Sequence, residues 1–246
     1  MILYSFYKNM VFTIVQFAYC FYNGSGQSFW SSWPITLFNL LFTFFPVVMR
    51  AVFEVDLEIT SDKKTFKEIS QGKHQNQLLY SYYPKMYFIG QKNTLFTKLT
   101  FFHWFTLGIS QGVICFIVTL YSLGTPYDTS GFSSYQSSFS FVEISAYTSV
   151  IIIVTMKIAI NIKQWNLILV IGFIISLGGY VGYRLLFNYI SLSDVAGYLT
   201  NLLTMPSFYL CQMLCIMGMF SFDFFLFSLE ATKGNFQNYL KFRTIR

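Results

Sequence analysis

Six apolar runs, each close to the length of a bilayer crossing, leave this chain few folds to adopt. They cover residues 3–22, 33–53, 99–123, 143–162, 166–190 and 205–230. About 20 predominantly apolar residues, rising 1.5 Å each, cross a hydrocarbon layer about 30 Å thick, so each run is read as a membrane helix. Only 11% of the 246 residues are charged, against about 25% in soluble domains. The fold class expected is an all-α, polytopic bundle of six transmembrane helices. The N-terminus has no basic stretch before its apolar run and no small-residue cleavage site after it, so it does not read as a secretory signal.

The links between the runs give an orientation. Residues 23–32, 124–141 and 191–204 contain no Lys or Arg. Segment 54–98 holds Lys63, Lys64, Lys67, Lys73, Lys85, Lys92 and Lys98, and Arg50 lies just before it. Lys163 follows the fourth run, and Lys233, Lys241, Arg243 and Arg246 lie in the C-terminal tail. Positive residues stay on the cytoplasmic side, so both termini and segment 54–98 are expected there. The net charge of +6 is therefore a matter of topology and not a nucleic-acid surface. Segment 54–98 is too short and too polar for an ATP-hydrolysing domain. Short surface helices are expected in it, with Tyr80, Tyr82, Tyr83 and Tyr87 near the headgroups.

The first helix is the least apolar. Its eight Leu, Ile, Val and Phe residues offer about −2.4 to −4.8 kcal/mol of insertion energy, while one central Lys costs about 2.5 to 3.5 kcal/mol. Lys8, Asn9 and Gln16 thus make it marginal alone. Ser5, Asn9, Thr13 and Gln16 form one polar stripe; Thr36, Asn39, Thr43, Pro46 and Arg50 form another on the second helix. A ten-residue turn joins the two helices, so the stripes are expected to face each other or a shared hydrated groove. Pro46 lacks a backbone donor and frees the carbonyl of Phe42, and a broken helix at mid-membrane is a common way to build a transport site. Taken singly, Asn39 or Thr43 reads equally as interhelical glue. Lys8, Asn9, Asn39, Thr43 and Pro46 together read as a substrate path.

Other polar and small residues have plainer readings. Gly108 and Gly112 in the third run, and Gly178, Gly179 and Gly182 in the fifth, are expected to let helices approach closely. Lys157 lies near a helix end and is expected to snorkel. Asp223 is either an ion-pair partner for another span or an interfacial residue. Cys20, Cys115, Cys211 and Cys215 fall within apolar runs and read as core, with no disulfide framework and no metal site. His74 and His103 have no ligand-spaced partner. Asn23-Gly24-Ser25 is a formal glycosylation sequon, disfavoured because it abuts the helix end. There is no phosphate-binding Gly-x-x-x-x-Gly-Lys run, none of the five Asp residues precedes Lys-Thr-Gly, and no catalytic residue is assigned.

Several stretches carry a resemblance. Phe6-Tyr7-Lys8-Asn9 followed by Phe12-Thr13 and Gln16-Phe17 resembles the fifth membrane helix of the lipid-flippase branch of P-type ATPases. Ser25-Gly26-Gln27 leading to Trp33 resembles the following turn, and Leu37-Phe38-Asn39-Leu40-Leu41-Phe42-Thr43 with Pro46-Val47 resembles the sixth helix. Phe53-Glu54-Val55-Asp56-Leu57, Tyr83-Pro84-Lys85-Met86-Tyr87 with Gly90-Gln91 and Asn93, and Met156-Lys157 with Trp165 are similar to later signatures. The resemblance runs from the fifth to the tenth helix and is densest in the first third of the chain.

It implies a part in moving phospholipid from the outer to the cytoplasmic leaflet, with Lys8, Asn9 and Asn39 matching positions on the lipid route. It implies ATP and Mg2+ for the complete pump, with neither bound by this chain, and a two-helix accessory subunit as partner beside phospholipid and the membrane itself. The membrane is plasma, Golgi or endosomal without distinction. Helices one to four and the ATP-handling domains of that family have no counterpart here, so the chain is expected to be a fragment of a pump. The alternative is a truncated, non-catalytic membrane scaffold derived from one. A secondary transporter is disfavoured because spans one to three do not repeat in spans four to six.

Overall fold

A computed structural model describes residues 2–24, 26, 28–54, 96–123, 139–162, 165–189 and 198–232. All regular structure among them is helical: α1 (Ile2–Asn23), α2 (Ser32–Leu37), a π-helical turn (Phe38–Phe42), α3 (Phe44–Phe53), α4 (Lys98–Leu123), α5 (Phe139–Asn161), α6 (Leu167–Tyr189), α7 (Tyr198–Thr204) and α8 (Pro206–Thr232). The chain divides into two units, residues 1–54 with 104–225, and residues 55–103 with 226–246. In the second, the described residues are 96–103 and 226–232. There Thr97 caps α4, its hydroxyl accepting the backbone N–H of Thr100 at 3.2 Å. The expectations for Tyr80, Tyr82, Tyr83, Tyr87, His74 and the lysine cluster of segment 54–98 fall on residues outside the described set, apart from Lys98 at the start of α4.

Among the described residues five helices are long and apolar enough to cross a bilayer: Ser32–Phe53, Lys98–Leu123, Phe139–Asn161, Leu167–Tyr189 and Pro206–Phe225. The first continues through the π-helical turn as one span. Six crossings were expected; α1 has the length but falls short in apolarity, for the reason its sequence gives: Lys8, Asn9 and Gln16 offset its aliphatic residues.

Helix α5 is the centre of the first unit. Of its apolar stretch 72% is buried, against 22–44% for the other four spans. The outer helices turn apolar side chains outward, as in α6, where Ile174, Val181 and Leu186 are exposed. Such a surface suits hydrocarbon and not water.

Close backbone approach is built with glycine. A Cβ on Gly108 would lie 3.0 Å from Met10 Cβ, and one on Gly112 would lie 2.9 Å from Ile14 Cβ and 3.1 Å from the Val11 carbonyl. These two residues seat α1 on α4, as their spacing suggests. The glycines of α6 behave differently. Gly178 and Gly182 have nothing within 4 Å and Gly179 meets only Leu41 at 3.6 Å. The expected close approach there is absent among the described residues, because these positions face outward. Instead Gly172, one turn and a half earlier, receives Met49 of α3. At the end of α1, Gly24 takes φ +62° and its N–H bonds the Cys20 carbonyl at 3.0 Å, a left-handed cap that stops the helix.

The segment after α1 is held by side chains of α1 and α5. Gln16 Oε1 accepts the N–H groups of Phe29 (2.9 Å) and Trp30 (3.2 Å). Glu143 at the start of α5 accepts from the Ser31 backbone at 2.8 Å and from its hydroxyl. The stripe residue Gln16 is thereby used to fix the chain reversal. At the opposite end Arg50 bonds the Asn161 carbonyl at 2.8 Å and Glu54 at 2.5 Å, placing a cation on the C-terminus of α5. In the link before α8, residues 198–204 are helical, and Asn188 Oδ1 accepts the Leu199 N–H at 3.1 Å.

Candidate functional site: a buried lysine at a π-helical turn

Lys8 enters the protein from α1. It lies on the buried face defined by Tyr4, Tyr7, Val11, Val15 and Tyr19, and only 7% of it is exposed. Its Nζ donates to Thr43 Oγ1 at 2.7 Å and stands 5.9 Å from the Phe38 ring centre. Thr43 in turn donates its single hydroxyl proton to the Phe38 carbonyl at 2.8 Å. The hydroxyl is thus an acceptor toward Lys8 and a donor toward the backbone, which uses its inventory without conflict. Among the described residues no carboxylate pairs with Lys8. An ammonium carries three N–H donors, and one is spent on Thr43.

The receiving backbone is irregular. Thr43 N–H bonds the Phe38 carbonyl five residues back at 3.1 Å, where an α-helix would reach only four. One extra residue in the turn re-aims the side chains around it, and such bulges are frequent at functional sites. Pro46 sits buried in the first turn of α3, where the span runs on from the π-helical turn and an ordinary residue would donate its N–H to the Phe42 carbonyl. The Phe42 carbonyl it leaves unpaired is taken by the hydroxyl of Ser176 from α6. The sequence indicated the free carbonyl; its partner comes from 134 residues away.

The other path residues part company with Lys8. Asn9 and Asn39 are exposed, as are Thr13 and Thr36. Thr13 bonds the Asn9 carbonyl within its own helix at 2.8 Å. Asn9 and Thr13 of the α1 stripe therefore face outward beside the buried face that carries Lys8, and the two spans meet through the Lys8–Thr43 bond and through Phe12, which stacks on Phe38 at 4.4 Å. Thr43 of the second stripe meets Lys8, which lies off the first stripe, while Asn9 and Asn39 are exposed, so the two stripes are not brought face to face. Two groups were missed from sequence. Phe38 supplies both a carbonyl and a ring face to the site, and nothing in its type announces this. Ser176 is one hydroxyl among several in α6.

A second buried lysine lies on α5. Lys157 was expected to snorkel, but its Nζ pairs with Asp223 Oδ2 at 2.6 Å and stands 5.5 Å and 5.9 Å from the ring centres of Trp104 and Tyr7. Of the two readings for Asp223, the ion pair is the one found. Gln111 Nε2 donates to Asp223 Oδ1 at 2.9 Å, and Gln111 Oε1 accepts from the Tyr7 hydroxyl. Arg184 is a third buried cation that sequence reasoning passed over. It lies 5.1–5.6 Å from the ring centres of Tyr147, Tyr180 and Tyr183. Cys115, Cys211 and Cys215 are buried in the core. Among the described residues no group of three or more His, Cys, Asp or Glu is placed to hold a metal ion.

Fold and site together define a helical membrane protein with a cation buried next to a broken span. The comparisons give the family. The family described as "Phospholipid-translocating P-type ATPase C-terminal" matches residues 1–233, and the chain belongs to it. Among its relatives, phospholipid-transporting ATPase FetA of Mus musculus is 29% identical over 90% of this chain and 18% of its own length. Phospholipid-transporting ATPase IK of Homo sapiens is 30% identical over 72% of this chain and 12% of its own. Phospholipid-transporting ATPase DRS2 of Saccharomyces cerevisiae is 33% identical over 67% and 11%. The chain thus spans less than a fifth of the length of these relatives. It is an integral membrane protein by family and by its five apolar helices.

Proposed function

We propose that this chain forms the membrane portion of an ATP-dependent phospholipid flippase, and that Lys8, Asn9, Asn39, Thr43 and Pro46 border the route of the lipid headgroup toward the cytoplasmic leaflet. The observation that carries the reading is the Lys8–Thr43 contact: a buried ammonium held by a neutral hydroxyl, not a carboxylate. Charge inside a membrane is costly and is retained where it meets a substrate or ion path. Lys8 keeps donors for a headgroup phosphate or carboxylate, and the π-helical turn fixes the hydroxyl that aims it. Asn9 and Asn39, exposed on the same two elements, offer amide groups to a polar headgroup.

In this reading α1 crosses the membrane as a sixth span, supported by the packing of its glycine seat. Both termini and segment 54–98 lie in the cytoplasm, as the lysine distribution favours. ATP and Mg2+ act in parts of the complete pump outside this chain, and a two-helix accessory subunit accompanies it. The names of the relatives, all phospholipid-transporting, favour lipid as the cargo. Lys8→Ala in the complete ATPase tests the site. Lipid-stimulated ATP hydrolysis is expected to fall, with a higher lipid requirement; unchanged activity and unchanged lipid dependence would remove Lys8 from the path.

A further inference from the structure

Four helices meet at a chain of polar contacts that ends beside Lys8. Asp223 of α8 accepts from Lys157 of α5 at 2.6 Å and from Gln111 of α4 at 2.9 Å. Gln111 accepts the Tyr7 hydroxyl of α1. Tyr7 is wholly buried, and its ring meets Trp104 edge-on at 5.8 Å with an interplanar angle of 82°. Each link specifies the next. A carboxylate only accepts, so Gln111 must turn its NH2 toward Asp223, which leaves its oxygen for Tyr7. Lys157 donates to the other oxygen of the same carboxylate. The direction of every donor along this chain of contacts follows from one ion pair.

Tyr7 and Lys8 are consecutive, so their side chains leave α1 about 100° apart. Fixing Tyr7 against α4 fixes the rotation of α1, and with it the bearing of Lys8 on Thr43. A second tie, from the Tyr4 hydroxyl to the Val154 carbonyl at 3.0 Å, holds the preceding turn against α5. We propose that Gln111, Lys157 and Asp223 are positioning residues for Lys8, acting through the Tyr7 hydroxyl. The proposal rests on Lys8 being a residue of the lipid path.

The test is a double-mutant cycle in the complete ATPase, read as the half-saturating concentration of phosphatidylserine in phosphatidylcholine vesicles, with phosphatidylethanolamine as a parallel series. Tyr7→Phe removes only the hydroxyl. The double variant Lys157→Met with Asp223→Leu removes the ion pair while keeping its volume. Each is expected to raise the half-saturating concentration by about two- to thirtyfold, the range of coupling energies carried by such networks. Neither is expected to raise it further in a Lys8→Ala background, because the network acts through Lys8. Additive effects in that background, or a lowered melting temperature with unchanged lipid dependence, would overturn the proposal and leave Lys8 in the path. A Lys8→Ala variant with normal lipid dependence would overturn both.

Discussion

Lys8 and Lys157 are buried in the same unit and have opposite surroundings. Lys157 faces a carboxylate at 2.6 Å and two aromatic rings. Its charge is neutralised locally, and its contacts tie α5 to α8. Lys8 faces one hydroxyl at 2.7 Å and one ring, at a backbone irregularity, with exposed amides on the same elements. In the proposed reading the paired charge of Lys157 is satisfied within the protein, whereas the neutral partner of Lys8 leaves its charge available to a headgroup. The difference shows why residue type and depth alone do not assign a role to an intramembrane lysine.

The strongest way to break the comparison is to unpair Lys157. Asp223→Ala leaves Lys157 buried without its carboxylate and is expected to cost about 3–5 kcal/mol of stability, measured by thermal unfolding in detergent. Replacing both partners by Met and Leu should cost far less, since apolar substitution of a whole buried pair is often neutral. If the single and double variants unfold alike, the pair is not what holds α5 to α8. Next in size is the seat of α1. Gly112→Ala puts a methyl group 2.9 Å from Ile14 and 3.1 Å from the Val11 carbonyl, and overpacking of this kind costs about 1–3 kcal/mol. Crosslinking between α1 and α4 should weaken with it.

Thr43→Val sharpens the Lys8 side. It removes the hydroxyl that accepts from Lys8, a loss of about 0.5–1.5 kcal/mol for one hydrogen bond, and should raise the lipid requirement without removing lipid stimulation. The smallest effect is expected at Gly178, where a Cβ meets nothing within 4 Å. Gly178→Ala should stabilise α6 by about 0.5–1 kcal/mol through helix propensity, visible as a slightly higher melting temperature. A loss there would mean that the glycine faces a partner after all.

Much of the helical layout was legible in the chain, because a membrane helix announces itself by twenty apolar residues in a row. The marginal first helix was legible too, since the cost of Lys8 and Asn9 is local to their own run. So was the freed Phe42 carbonyl, which follows from the missing donor of Pro46 alone. What was illegible is everything that depends on which helix stands next. Gly108 and Gly112 bear the same small-residue signature as Gly178 and Gly182, yet only the first pair meets a neighbour. Gln16 and Arg50 sat on the polar stripes but serve a chain reversal and a helix end.

The sequence by itself determined the membrane class, the helix boundaries to within a few residues and the family, because these rest on apolar run length and local motifs. It also singled out Lys8 as a charge out of place. Only the tertiary structure decided what each buried charge faces. Lys8 met Thr43 across 35 residues, and Lys157 met Asp223 across 66. Such partners are chosen by the rotation of each helix about its axis. Where lipid covers one face and protein the other, that rotation is set by packing between helices, and no single run of sequence contains it.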